Sequence, residues 1–545
     1  MKKTSVFLLS TFLAGALFAG NGKLAKELES LDPASHVDVI VQFKHPPTAA
    51  HHQKIRARGG LHKKSLDLVK GSLYSVPAGK LKELADDPDV AYISPDRPVH
   101  AFLDYATVTL GANLAYQANW TGKGVGVAVL DSGFNSNGQV VYSQDFSTDG
   151  YTVDLYGHGS HVEGIIGGVG TSLDNYQHRG IAPGVNVIVL KVLNQKGAGT
   201  DSGVIAAINQ AIALKSTYNI RVMNLSLGRP VYESYTLDPV CQAVEKAWKA
   251  GIVVVVAAGN EGRNNSAGTN GYATITAPGN DPYVITVGSM NMNGTTARSD
   301  DLIASYSSKG PTLFDHIAKP DLVAPGNRVV SLNAPAGFGG ALAAAYRQNV
   351  YVEACAGCYI RLSGTSMAAP MVSGAAALLL QQNPNLTPDQ VKARLMKTAS
   401  KTFPASSVAT DSATGAAYTS YYDLFTVGAG YLDIWAALNS TDTAPAGQTA
   451  LSPTAVYAAP GQVNLLFGSN VVWGTNVVWG TNVVWGTNVV WGTNVVWGTN
   501  VVWGTNVVWG TSGTQGANVV WGTNVVWGTG QPASESIGII VNGDK

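Results

Sequence analysis

At 545 residues the chain is too long for one ordinary compact domain, and with 45% hydrophobic residues it can bury a large core. Only 13% of residues are charged, about half the usual share of roughly 25%. Acidic and basic residues balance at 35 each, giving zero formal net charge, which argues against nucleic acid as the main partner.

In chain order, residues 1–20 read as a signal peptide. Lys2 and Lys3 precede an apolar run from Val6 to Ala19, with small residues at Ala19-Gly20 where cleavage would fall. That run is short for a membrane span of about 20 residues, and no later stretch reads as a transmembrane segment. Residues 21–103 read as a small α+β unit. A strand is expected over Val37–Phe43, a helix over Leu61–Val69, a strand over Leu73–Val76, a helix over Leu81–Leu84 and a strand over Val90–Ile93. The basic, His-containing stretch 51–64 is expected to be a loop plus a solvated helix face.

Residues 104–438 alternate apolar runs with helical patterns. Val125–Leu130, Val187–Val192, Arg221–Leu225, Ile252–Ala257 and Tyr283–Val287 fit parallel strands buried on both faces. The fold class expected is α/β, a doubly wound and mostly parallel sheet. Sites in such sheets form outside the carboxyl ends of the strands. Residues 439–469 read as a Pro/Ala/Ser/Thr-rich linker. From 470 to 529 the hexapeptide NVVWGT recurs, seven times without a break and twice more after the six residues Ser512–Ala517, and 530–545 form a tail. No charged residue lies between Asp442 and Glu535.

Three segments carry the chemistry. Val127-Ala128-Val129-Leu130-Asp131-Ser132-Gly133 delivers a carboxylate at the end of an apolar strand. Gly157-His158-Gly159-Ser160-His161-Val162 leads into a helical run. Ser363-Gly364-Thr365-Ser366-Met367-Ala368-Ala369-Pro370 opens a long apolar helix, with Pro370 expected in its first turn. A serine hydroxyl is a weak nucleophile until a base removes its proton. Histidine can do that and return the proton to the leaving amine, while a buried carboxylate orients the imidazole. Ser366 at a helix N-terminus has backbone N–H groups beside it, and Asn260, in Ala257-Ala258-Gly259-Asn260-Glu261-Gly262, can donate a second hydrogen bond to an oxyanion.

The segments LDSG, GHGSHV, NLSLG, AAGNEG, SYSSKGP, KPDLVAPG and SGTSMAAP stand in this order across residues 122–382. The chain here resembles the subtilase family of serine proteases. The resemblance implies a triad of Asp131, His158 and Ser366, with Asn260 in the oxyanion hole. It implies that Ser226-Leu227-Gly228 pairs with the substrate backbone and that Ala257, Ala258 and Gly259 wall the other side of the specificity pocket. It implies a serine endopeptidase acting on proteins or peptides, with no cofactor required for the chemistry. The unit at 21–103 is similar to the subtilase propeptide, which implies a zymogen whose propeptide serves as inhibitor and folding assistant, with cleavage between about Asp96 and Tyr105. With the signal, this gives a secreted enzyme.

The chain departs from the family in places. Ser160 and Glu163 stand where the family usually has Thr and Ala, and Glu163 either alters the field near His158 or faces solvent. The stretch Phe134–Gln139 lacks the acidic residue that often helps bind calcium, so structural calcium is left without an assigned site. His161 reads as a packed helix residue ahead of an H-x-x-H metal ligand. Cys241 reads as a core filler, and Cys355 and Cys358 as a small-loop disulfide or two free thiols. The repeat has an even period and keeps its phase across the interruption. If extended it puts all nine Trp on one face, which suggests stacked units as in hexapeptide solenoids. Uncharged, Trp-rich strands are prone to self-pair, so the repeat reads as an envelope or self-association module.

Overall fold

The computed structural model describes residues 23–25, 28, 31–96, 102–134, 139–170, 178–334, 340–351, 357–411, 415–445, 447–459 and 462–466, with short pieces of the repeat and residues 539, 543 and 544. The proposed signal, Cys355, and most of the calcium-site stretch and of the repeat lie outside these residues. The chain divides into two compact units, 1–99 and 100–545.

In the first unit, strands β1 (His36–Phe43), β2 (Leu61–Leu66), β3 (Gly71–Pro77) and β4 (Val90–Pro95) form an antiparallel sheet of order β2-β3-β1-β4. Helices α1 (Ala49–Ala57) and α2 (Leu81–Ala85) contribute Ile55, Leu81 and Leu84 to a core with Val39, Val41, Tyr74, Val76 and Ile93. The helix expected over Leu61–Val69 is instead the edge strand β2 followed by one 3₁₀ turn, Asp67–Val69. The leucines that imitate a helical stripe do not face a core: Leu61 is 63% and Leu68 99% exposed. Backbone pairing with β3, from Leu61↔Ser75 to Leu66↔Gly71, fixes the strand, and local spacing does not report such a partner. Exposed Lys63 and Lys64 keep this open edge charged.

The second unit opens with α3 (Phe102–Thr109) and α4 (Ala112–Gln117). It continues through β5 (Gly126–Asp131), β6 (Val140–Asp145), α5 (His158–Gly167), β7 (Asn186–Lys191), α6 (Asp201–Ala213), α7 (Lys215–Tyr218), β8 (Ile220–Leu225), α8 (Pro239–Lys249), β9 (Val253–Ala257) and β10 (Ile285–Asn291). Then come β11 (Leu302–Ile303), β12 (Leu322–Pro325), β13 (Val329–Leu332), α9 (Ala341–Ala345), β14 (Val350–Tyr351), β15 (Tyr359–Leu362) and α10 (Thr365–Gln382). The main sheet runs β11-β10-β9-β8-β5-β7-β6, with β12 beside β10, and every pair but β10–β11 is parallel. Five of its strands lie within two residues of the apolar runs at their starts. They are buried because helices cover both faces. The small residues of α10 let that helix pack closely against β8, β9, β10 and α5.

The segment expected as a linker is docked. Thr454–Ala459 and Gln462–Leu466 form an antiparallel hairpin. The Ala318 amide donates to the Pro453 carbonyl and the Ala455 amide to the His316 carbonyl, both at 2.7 Å. Val463 and Leu465 pack on a cluster of Tyr272, Ala318, Phe425 and Ala455. Within the repeat, Val477–Val478 pairs with Val484–Trp485, and Val495–Trp497, Val501–Trp503 and Val508–Trp509 pair in turn, all antiparallel.

Candidate active site

β5 is buried at every position and presents Asp131 at its carboxyl end. The turn that follows requires glycine: Gly133 has φ +119°, and a Cβ there would lie 2.5 Å from the Thr152 carbonyl oxygen. Asp131 Oδ1 accepts the Ser132 amide at 2.8 Å and faces His158 Nδ1 at 2.7 Å. His158 is the first residue of α5. Burial opposes a charged imidazole, but the Asp131 carboxylate, with Asp154 further off, outweighs it and raises the His158 pKa above its ordinary 6.5.

Asp154, absent from the sequence reading, organises this corner. Its fully buried carboxylate accepts hydrogen bonds from the Ser132 hydroxyl, the amides of Tyr156, Gly157 and Ser160, and the Ser160 hydroxyl, all at 2.8–3.1 Å. The signal available was a single carboxylate in an otherwise uncharged stretch just before Gly157-His158.

Ser366 is the second residue of α10. Its hydroxyl donates to the Ser226 carbonyl at 3.1 Å, and the Ser226 hydroxyl donates to the Ser366 carbonyl at 2.8 Å. Pro370 explains the second bond. It lies in the second turn of α10, one turn later than expected, because the helix begins at Thr365. A proline there removes the amide that would bond the Ser366 carbonyl, and Ser226 supplies the donor instead. Asn260 Oδ1 accepts the Thr365 amide at 2.9 Å and the Thr365 hydroxyl at 3.1 Å, which leaves Nδ2 as the donor of its carboxamide.

These groups meet in one cavity of about 460 Å³. His158, Ser366 and Asn260 line it, with Ser226, Leu227 and Gly228 after β8 and Ala257 and Gly259 at the end of β9. Ala258 is buried behind this wall, its amide bonded to Val287 and its carbonyl to the Thr276 amide. Sequence reasoning also missed the rim, where Arg229 bridges Asp201 at 2.9 Å and Asp238 at 2.8 Å.

His161 is packed, with Nε2 3.0 Å from the Val329 carbonyl, and burial pushes its pKa down to about 3. Glu163 is fully buried, so the solvent-facing alternative is wrong. Cys358 is disulfide-bonded, and Cys241 is a free, buried thiol. Among the described residues, no group of three or more His, Cys, Asp or Glu is placed to hold a metal ion, and no helix is long and apolar enough to cross a membrane.

A family model described as the subtilase family matches residues 122–430, more than half of the chain. The chain belongs to the subtilase family. Serine protease AprX of Bacillus subtilis (strain 168) is 39% identical to this subtilase over 323 residues, 57% of this chain and 69% of the relative. Subtilisin E of the same organism is 34% identical over 373 residues, 66% of this chain and 84% of the relative. A solved cold-adapted subtilisin-like serine proteinase is 32% identical over 52% of this chain and 84% of its own, with a TM-score of 0.38. This subtilase is a serine-type endopeptidase.

Proposed function

We propose that the chain is a secreted zymogen that hydrolyses peptide bonds through an acyl-enzyme on Ser366. The observation that carries this reading is the 2.7 Å contact of buried Asp131 with His158, which lines one cavity with Ser366 and Asn260. The Ser366 hydroxyl turns from the Ser226 carbonyl toward His158, which takes its proton as Oγ attacks the scissile carbonyl. Asp131 holds the imidazole with its other nitrogen free to act and stabilises the imidazolium. The developing oxyanion receives Asn260 Nδ2 and a first-turn amide of α10, which has no intrahelical acceptor. His158 then gives its proton to the leaving amine, and water repeats the sequence on the ester. Residues 226–228 pair with the substrate backbone, and Ala257 and Gly259 form the opposite wall, backed by Ala258.

The unit at 21–103 serves in this reading as folding assistant and inhibitor, removed between about Asp96 and Tyr105. The Trp repeat serves as an envelope or self-association module. Structural calcium is not assigned. The test combines fluorophosphonate labelling with intact-mass analysis of the exported product. The wild-type chain is expected to label at Ser366 and to lose its N-terminal unit, and Ser366→Ala to do neither. A wild-type chain that resists the probe would falsify the nucleophile assignment, and normal processing of Ser366→Ala would exclude self-cleavage.

A further inference from the structure

The residues after the repeat return to the catalytic unit. Ile539 packs against Ala304 and Tyr306. Asp544 is 1% exposed. Its Oδ1 accepts Arg263 Nη2 and the Ser305 hydroxyl, both at 2.7 Å, and its Oδ2 accepts the Ser305 amide at 2.7 Å. The Asn327 side chain holds its backbone from both sides, accepting the Asp544 amide at 2.8 Å and donating to the Asp544 carbonyl at 3.0 Å. Gly543 has φ +60°, and a Cβ there would lie 2.3 Å from Asn327 Oδ1 and 2.4 Å from Ser363 Oγ. Only glycine fits that approach.

We propose that Ile539, Gly543 and Asp544 form a latch that anchors the chain after the Trp repeat to the catalytic unit and braces the turn leading into the helix that carries Ser366. The anchoring follows from connectivity. Before the repeat the chain is held by the hairpin at 454–466, and after it by Asp544. The bracing follows from what the latch touches. Asn327 adjoins Gly326, whose carbonyl accepts the Gly364 amide at 2.9 Å and the Tyr306 hydroxyl at 3.2 Å. Ser363 accepts the Arg328 amide at 2.9 Å and stands three residues before the nucleophile. The clamp does not depend on Asp544 for its charge balance. Arg263 also pairs with Asp411 at 2.6 Å and donates to Ser305 Oγ at 2.8 Å. A carboxylate can therefore leave and return without stranding a buried guanidinium.

The test uses the full chain with Ser366→Ala, so that no self-cleavage intrudes and the result does not depend on the proposed catalytic roles. A recognition sequence for a specific protease replaces Gly530–Ser534, between repeat and latch, and the chain is cut there. Native mass analysis should find the released piece still bound, at a stoichiometry unchanged by tenfold dilution. Asp544→Ala and Gly543→Ala should each cut retention by at least tenfold, and Asp544→Asn by less. Loss of the piece from the unaltered latch, or equal retention in Asp544→Ala, would overturn the latch. In the active full chain, Asp544→Ala should lower kcat several-fold with KM held within about twofold; an unchanged kcat would remove the bracing role.

Discussion

At the scale of single residues, His158 sets the working range of the site. It must be neutral to accept the Ser366 proton. Burial lowers its pKa, and Asp131 and then Asp154 more than reverse that, so the imidazole holds its proton above pH 6.5. The acid limb of kcat/KM should therefore have its midpoint above 6.5. The sign for stability agrees: the stabilisation from this pair is full below the unfolded pKa and is lost as pH rises through the higher folded value. Asp131→Asn removes the nearer carboxylate and leaves the burial. Its acid limb should move to lower pH, and kcat should fall by roughly 10⁴. A pH–rate profile of both proteins decides this. A wild-type midpoint below 6.5, or a limb that Asp131→Asn leaves in place, would count against the pairing.

At the scale of elements, α10 and the strand end after β8 hold each other. Ser226 gives its hydroxyl to the carbonyl that Pro370 leaves without an amide, and takes the Ser366 hydroxyl on its own carbonyl. Ser226→Ala should cost about 1–3 kcal/mol, since a buried carbonyl loses its donor. Pro370→Ala restores the amide, so the double variant should be less destabilised than the two single effects added together. A coupling of about 0.5–3 kcal/mol is expected by denaturant unfolding in a Ser366→Ala background. Strict additivity would mean that the clasp does not bind the two elements. This relation was not legible in the sequence, although each residue was. Asp131, His158, Ser366 and Asn260 lie in short motifs at the ends of apolar runs, where local pattern suffices. Asp154 acts through folding back on Gly157 and Ser160, and β2 exists through pairing with β3. Neither contact leaves a local period. The start of α10 at Thr365 depends on Asn260 holding the Thr365 amide from the loop after β9, which is why Pro370 lies one turn later than its motif suggests.

At the scale of the whole molecule, the question is where the catalytic unit ends. Composition placed a linker after residue 438, because Pro, Ala, Ser and Thr replace apolar periodicity there. Polar contacts contradict it. Lys392 is wholly buried, and that burial lowers its pKa to about 7. It is held by Asp321 at 3.2 Å and by the Ser452 hydroxyl at 2.9 Å, and Ser452 itself donates to Asp321 at 2.5 Å. Asp389 accepts the Ala450 amide at 2.7 Å, and Arg394 donates to Thr443 at 2.8 Å. A chain ended at residue 438 keeps the Lys392–Asp321 pair but loses the contacts to Thr443, Ala450 and Ser452 and exposes the apolar face under the hairpin. Each lost hydrogen bond to a charged group costs about 1.5–3 kcal/mol. A chain ended at residue 466 keeps every one and lacks only the repeat and the Asp544 contacts. With Ser366→Ala throughout, thermal unfolding should rank the full chain above the 466 chain, and the 466 chain above the 438 chain. Equal melting of the two shortened chains would return the boundary to residue 438 and make the hairpin a passenger.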